Sequence, residues 1–300
     1  MAKADFVIAV DLGGTKLAVA AVDRMGVLYC RQKTPVPRGG FSECARQIAG
    51  MVDTCAKSFP PQGSLCAVGL LVPGIYSRTT GCVWAPNLWG QEEVALQREL
   101  ERFLHCPLVI DSDRAGYVLG EQWRGAARGL ANVVFLAIGT GIGAGILIDG
   151  KLVRGAGGVA GAVGWFRFGI SDQDIYRRVG YWEAEAAGPA LARRAGLKSA
   201  EDVFEAASRG DEGALRAIAT TAEYLALGVA NLISILNPEM VVLGGGLMQQ
   251  GARFLEHVKR RAVEWAQPVA ARQARIELTQ LGEDAGLLGA ARLAWQSLES

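Results

Sequence analysis

An α/β fold of two related lobes is predicted by three features of this chain. A glycine turn, Asp11-Leu12-Gly13-Gly14-Thr15-Lys16, sits between two apolar runs, Phe6-Val7-Ile8-Ala9-Val10 and Leu17-Ala18-Val19-Ala20-Ala21-Val22. Runs rich in β-branched residues around a short glycine turn read as strand, turn, strand. The same order returns roughly half a chain later, where Asn132-Val133-Val134-Phe135-Leu136-Ala137-Ile138 runs into Gly139-Thr140-Gly141 and then Ile146-Leu147-Ile148. A third cluster, Gly244-Gly245-Gly246, follows Met240-Val241-Val242-Leu243.

Paired glycines let a backbone turn sharply and bring bare N–H groups against an anion, because no Cβ blocks the approach. Thr15 adds a hydroxyl donor and Lys16 a positive charge. Asp11 ends the first strand, where a carboxylate can hold a hydrated Mg²⁺ carried in by phosphate. Taken alone, the segment also reads as an ordinary hairpin whose Asp and Gly serve turn geometry. The second copy shifts the balance toward two lobes that share one nucleotide. Glycine after a strand, as at 244–246, lets a flat ring or ribose lie against the backbone at the carboxyl edge of an α/β sheet.

Three hundred residues suit two domains, each with its own core. Lys plus Arg number 31 and Asp plus Glu 30, so no strong field points to nucleic acid or an anionic membrane. The N-terminus carries no signal-peptide pattern. The apolar stretch at 214–236 contains Arg216 and Glu223 and reads as a buried helix, not a membrane span. All six cysteines fall between Cys30 and Cys106 without a C-x-x-C pair, and the only histidines are His105 and His257. Scattered cysteines of this kind read as reduced core residues of a soluble cytoplasmic protein.

After the first hairpin, 27–30 continues as a third strand and 35–40 is a loop. Ala45, Ile48, Ala49, Val52 and Ala56 share one face of a helix at 41–59, which Pro60-Pro61 stops. A buried strand at 65–71 ends in Val72-Pro73-Gly74-Ile75, and a charged helix spans about 91–104. A strand at 107–110 leads into Asp111-Ser112-Asp113 and a helix at 114–125, which closes a first lobe of 1–125. The second lobe, 126–284, holds the Gly-Thr-Gly hairpin, a glycine-rich stretch at 155–164, a polar insert and helices at 182–195 and 211–236. Asp211 is its N-cap candidate and Asn237-Pro238 its break. A helix at 254–265, a strand at 276–278 and a final helix from 282 follow.

These motifs together resemble the ROK family of sugar kinases and repressors, within the actin-like ATPase (ribonuclease H-like) superfamily, over nearly the whole chain. The resemblance implies that Gly13, Gly14, Thr15 and Lys16 and the Gly139, Thr140 and Gly141 turn grip the phosphates of ATP. Asp11 would hold Mg²⁺ through water, and Gly244, Gly245 and Gly246 would border the adenosine. By the family pattern the last helix, about 285–300, returns to pack on the first lobe. A homodimer is common in the family, although no sequence feature decides the oligomeric state. Nothing before the first strand reads as a helix-turn-helix, so the kinase branch is expected and nucleic acid is not a partner.

Phosphoryl transfer to a sugar hydroxyl needs a base for its proton, a positioned γ-phosphate and a metal to spread charge. Asp113, with Leu119-Gly120-Glu121 beyond it, matches the family's catalytic aspartate; a helix cap is the competing reading. Asp111 is the second choice of base. Asn87, in Pro86-Asn87-Leu88, matches a sugar-binding asparagine or is a turn residue. Glu183, in Gly180-Tyr181-Trp182-Glu183, matches a sugar-binding glutamate or is an exposed helix residue.

The acceptor half departs from the family. Gly-Glu-x-Gly-His is here Gly161-Ala162-Val163-Gly164-Trp165, and Ser112 replaces an asparagine. No histidine or cysteine lies between Phe166 and Trp182, so no structural zinc is expected. Trp165 is read as packing that fills the space of the lost metal with one edge in the sugar pocket, or as a stacking platform. Arg167, Arg177 and Arg178 read as a solvated loop or as contacts to an anionic acceptor. The reading is an ATP-dependent kinase of a sugar-like hydroxyl, with glucose and N-acetylated hexosamines as poor acceptors. A non-catalytic sugar or nucleotide sensor is the alternative, and a polyphosphate-dependent kinase ranks last.

Overall fold

Each half of the chain builds the same five-stranded sheet. The computed structural model describes residues 5–59 and 63–299, so Pro60 and Pro61, read above as the stop of the first helix, lie outside the described residues. One compact unit comprises Met1–Arg128, Arg154–Val159 and Glu283–Ser300; the other comprises Gly129–Val153 and Ala160–Gly282.

In the first unit β1 (Asp5–Leu12) runs antiparallel to β2 (Lys16–Asp23), which pairs with β3 (Leu28–Pro35). After α1 (Phe41–Ser58), β4 (Ser64–Val72) lies parallel to β1. β5 (Ile75–Tyr76) and β6 (Val83–Trp84) form a small hairpin, followed by α2 (Pro86–Trp89) and α3 (Leu96–Leu100). β7 (Leu108–Ser112), parallel to β4, completes the order β3-β2-β1-β4-β7 and feeds α4 (Asp113–Arg124). The charged helix expected at 91–104 is only the five residues of α3. Val94 is drawn into mutual backbone hydrogen bonds with Val83 at 2.8 and 2.9 Å, and helix begins only where buried Leu96 and Leu100 supply an inward face. The third strand runs on to Pro35, past the predicted loop boundary, because Lys16 and Leu17 of β2 find partners there.

In the second unit β8 (Val133–Ile138), β9 (Ile142–Ile148) and β10 (Lys151–Leu152) form the antiparallel part. The helices are α5 (Asp174–Val179), α6 (Tyr181–Ala186), α7 (Gly188–Ala195), α8 (Ala200–Ser208) and α9 (Glu212–Leu236). β11 (Met240–Gly244), α10 (Ala252–Trp265), α11 (Pro268–Gln273) and β12 (Arg275–Leu278) complete the order β10-β9-β8-β11-β12. The helix expected at 182–195 is two, α6 and α7, broken where Ala187 turns extended and Pro189 starts a new first turn. Asp211 caps α9 by accepting from the Ala214 N–H at 2.8 Å, and Asn237, left-handed at φ 44°, ends it before Pro238. α9 is long and apolar enough to cross a membrane by length and composition; here it packs inside the unit against α6 to α8 and α10.

The last helix, α12 (Ala285–Leu298), belongs to the first unit and covers β1, β4 and α4. Its approach to α4 depends on small residues: a Cβ on Gly289 would run into the Gly116 backbone. Burial of Leu287, Ala290, Leu293 and Trp295 against the sheet supplies the driving force.

Candidate functional site

The carboxyl ends of β1 and β7 bring Asp11 and Asp113 close enough for the Asp113 charge to bear on Asp11. Asp11 is the penultimate residue of β1, and its Oδ1 is buried without a hydrogen-bond partner. Desolvation first, then the Asp113 charge, raise the Asp11 pKa to about 7, against an opposing pull from Lys33. Gly286 leaves room for this group, since a Cβ there would overlap the Asp11 carboxylate. Asp113 opens α4 but does not cap it. Ser112 is the N-cap, its Oγ accepting from the Ala115 N–H at 3.3 Å, while Asp113 Oδ1 accepts from the adjacent Arg114 N–H at 2.7 Å. Asp113 keeps some accessible surface, yet desolvation raises its pKa against the lowering by Arg114. Asp111, the second-choice base, is buried and bound by Arg154 Nε at 2.7 Å. Tyr117, one turn along α4, feels both Asp11 and Asp113, and burial pushes its hydroxyl well above the usual phenol range.

The first glycine turn closes through a Gly13 N–H to Lys16 carbonyl bond of 2.8 Å and leaves Gly14, Thr15 and Lys16 exposed. In the second unit Gly139 donates to the Gly141 carbonyl at 2.9 Å and accepts from the Gly188 N–H at 2.8 Å, leaving Thr140 exposed. Gly139, Thr140 and Gly246 line one cavity of about 620 Å³, with Gly188, Lys198, Glu201, Phe204, Glu205 and Arg253 around it. Gly245 has φ 93° and passes so close to Ile138 that a Cβ would lie 2.5 Å from its carbonyl oxygen. Gly244 lies buried against the Phe135 ring and does not line the cavity.

Sequence reasoning missed the α8 and α10 side chains of this cavity. The Ser199-Asp202 capping box that starts α8, with bonds of 3.1 Å each way, was legible as S-x-x-D. What it delivers to the cavity was not.

Glu183 is no exposed helix residue. Its Oε2 accepts from the Ile142 N–H at 2.8 Å and crowds Gly141, where a Cβ would lie 2.7 Å from that oxygen. Desolvation raises its pKa, countered by the Ile142 bond. Asn87 is exposed on α2, whose first turn accepts Pro86 because no N–H is needed there. Trp165 corrects the packing reading: it is 57% exposed, at the end of a single 3₁₀ turn. Phe166 instead packs inward, stacked on Trp182 at 5.9 Å, and Phe168 lies edge-on to Trp182 and Tyr181. Tyr176 donates to Glu185, which also pairs with Arg194 at 2.9 Å. Arg167 and Arg177 are tied to Asp172. Among the described residues no three His, Cys, Asp or Glu side chains gather as metal ligands, and zinc does not fit this segment.

Two copies of a hairpin-plus-parallel-strand sheet, each with a glycine turn at its carboxyl edge, define a protein of the actin-like ATPase fold. The ROK family model matches residues 7–297, and the chain belongs to that family. It is 29% identical to a glucokinase of Halalkalibacterium halodurans over 98% of this chain and 96% of the relative. The ROK hexokinase structure from Thermus thermophilus superposes with a TM-score of 0.85 at 29% identity, covering 98% of this chain and 99% of that one. A ROK glucokinase from Streptomyces griseus, solved with glucose and AMPPNP, gives 0.78 at 29% identity over 97% and 99%.

Proposed function

We propose that this protein is an ATP-dependent kinase of a sugar or sugar-like alcohol. The observation that carries the reading is Asp113: a recessed carboxyl with a raised pKa, relieved of capping by Ser112 and sharing its surroundings with Asp11. As the carboxylate it takes the proton of the acceptor hydroxyl while that oxygen bonds to the γ-phosphorus and the bridging oxygen leaves with ADP. Asp11 suits a hydrated Mg²⁺, because a buried, partnerless carboxylate oxygen beside a second carboxylate gains most from a cation. When bound, the ion spreads the charge of the β- and γ-phosphates.

Gly14, Thr15 and Lys16, with Thr140 and Gly141, supply phosphate donors, the N–H groups of Gly13 and Gly139 being used to close their turns, and Gly245 and Gly246 border the adenosine, with Gly244 buried behind them. The 620 Å³ cavity is large enough for a nucleoside. Asn87, Glu183 and Trp165 are assigned to the acceptor. Ser112 keeps its hydroxyl hydrogen to donate there, since capping uses only a lone pair. Six free cysteines support a reducing, cytoplasmic setting.

The experiment is a panel of sugars, amino sugars and polyols scored for ADP release above the water background. Turnover on one acceptor class, with glucose and N-acetylated hexosamines poor, is expected from Ala162 and Ser112. Each lost charge-assisted hydrogen bond removes about one to two decades. Tight nucleotide binding without turnover on any acceptor would replace the kinase with a sensor.

A further inference from the structure

β3 carries a bulge opposite α1. Val19 of β2 pairs with Gln32 and Ala21 with Tyr29, so Cys30 and Arg31 together face Ala20. Cys30 takes up the irregularity at φ 46°, a left-handed conformation that costs an L side chain energy and is retained only when its surroundings hold it. Across from it on α1, the buried Cys55 thiol donates to the Cys30 carbonyl oxygen at 2.7 Å. The half-buried Cys30 sulfur accepts from Gln32 Nε2 at 3.6 Å, and the Cys55 side chain lies beside it. An amide donor on an accessible sulfur favours its thiolate.

The two thiols are therefore unequal. Burial alone would raise the Cys30 pKa, but hydrogen bonding at the sulfur outweighs it and brings the thiol below its ordinary value. Burial, reinforced by the bond to Cys30, pushes Cys55 up to about 12. Cys66 and Cys106 are half-buried as well, and burial raises both. An accessible sulfur with an amide donor beside a buried protonated one is the arrangement of an attacking and a resolving thiol.

We propose that Cys30 and Cys55 are a peroxide-reactive pair that closes to a disulfide between β3 and α1. The Cys30 thiolate attacks one peroxide oxygen, the O–O bond breaks, and hydroxide leaves with Cys30 as the sulfenic acid. The Cys55 sulfur then attacks the Cys30 sulfur, the S–O bond breaks, and the departing hydroxide takes the Cys55 proton as water. Two thiols and one hydrogen peroxide thus give one disulfide and two waters. The peroxide is the oxidant, reduced by the two electrons the sulfurs lose. The inference is independent of the phosphotransfer reading.

The test treats the reduced full-length protein with hydrogen peroxide, blocks remaining thiols and maps the cysteines by mass spectrometry. A Cys30–Cys55 disulfide is expected, with Cys30 consumed about tenfold or more faster than Cys66 or Cys106. Cys55→Ser should halt at a Cys30 sulfenic acid trapped by a 1,3-dione, and Cys30→Ser should leave Cys55 reduced. Equal reaction of Cys30, Cys66 and Cys106, or loss of Cys30 in the unmodified protein without any Cys55 linkage, would overturn the proposal. So would a Cys55→Ser protein that folds, as shown by its thermal unfolding, yet yields no Cys30 sulfenic acid.

Discussion

Glu183 Oε2 accepts the Ile142 N–H at 2.8 Å, so a helix glutamate buttresses the strand that leaves the Gly139-Thr140-Gly141 turn. Removing it orphans a buried backbone donor, a loss of about 1–3 kcal/mol. Glu183→Ala should therefore weaken nucleotide binding by about ten- to a hundredfold. Glu183→Gln keeps an acceptor oxygen and should bind nucleotide nearly normally, while any acceptor contact shows as a raised acceptor KM. Calorimetry with a non-hydrolysable ATP analogue, beside acceptor kinetics, separates the two effects.

Ser112 takes the helix-cap task that the sequence offered to Asp113 as its competing reading. Asp113→Asn should lower turnover by about 10²–10⁴ with nucleotide affinity and unfolding temperature unchanged. Ser112→Ala should cost about 0.5–2 kcal/mol of stability through the lost cap. Full turnover in Asp113→Asn would remove the base assignment.

The pH profile follows from the same carboxyl. As the proposed base, Asp113 works as the carboxylate, and desolvation raises its pKa above the ordinary 3.8. Log kcat/KM should thus rise with unit slope on the acid side and level off only above that raised pKa. Asp113→Asn should flatten this limb in the residual rate. A limb breaking at the ordinary carboxylate value would contradict the desolvated setting.

Gly286 has no side chain where a methyl group would overlap the Asp11 carboxylate. Gly286→Ala should raise the Mg²⁺ concentration for half-maximal rate while the fold persists, because alanine favours the helix. Titration of rate against Mg²⁺, with circular dichroism as control, checks this. An unchanged Mg²⁺ requirement would place the ion elsewhere.

The aromatic cluster should hold the second unit without zinc. A chelator is expected to leave the unfolding temperature unchanged, and metal analysis should find no stoichiometric zinc. Gly228→Ala would drive a methyl group into the buried Trp182 ring and should destabilise by about 1–3 kcal/mol.

The sequence by itself determined the elements whose signal lies within a few residues. Both glycine hairpins, the Asp211 cap, the Asn237-Pro238 break and the one-sided face of α1 are local, because strand alternation, helical period and turn chemistry act over one or two turns of chain. The break between α6 and α7 was written in Pro189 and could have been read. The rest depended on which faces meet. Glu183 finds a partner 41 residues earlier, Gly286 meets Asp11 from the far end of the chain, and Cys30 meets Cys55 across a bulge. Trp165 and Phe166 are adjacent aromatics, yet one is exposed and the other stacks on Trp182. Composition is the same for both. Only the packing of elements distant in sequence decides which side chain is desolvated, and desolvation is what lifts the Asp11 and Asp113 carboxyls out of the ordinary carboxylate range.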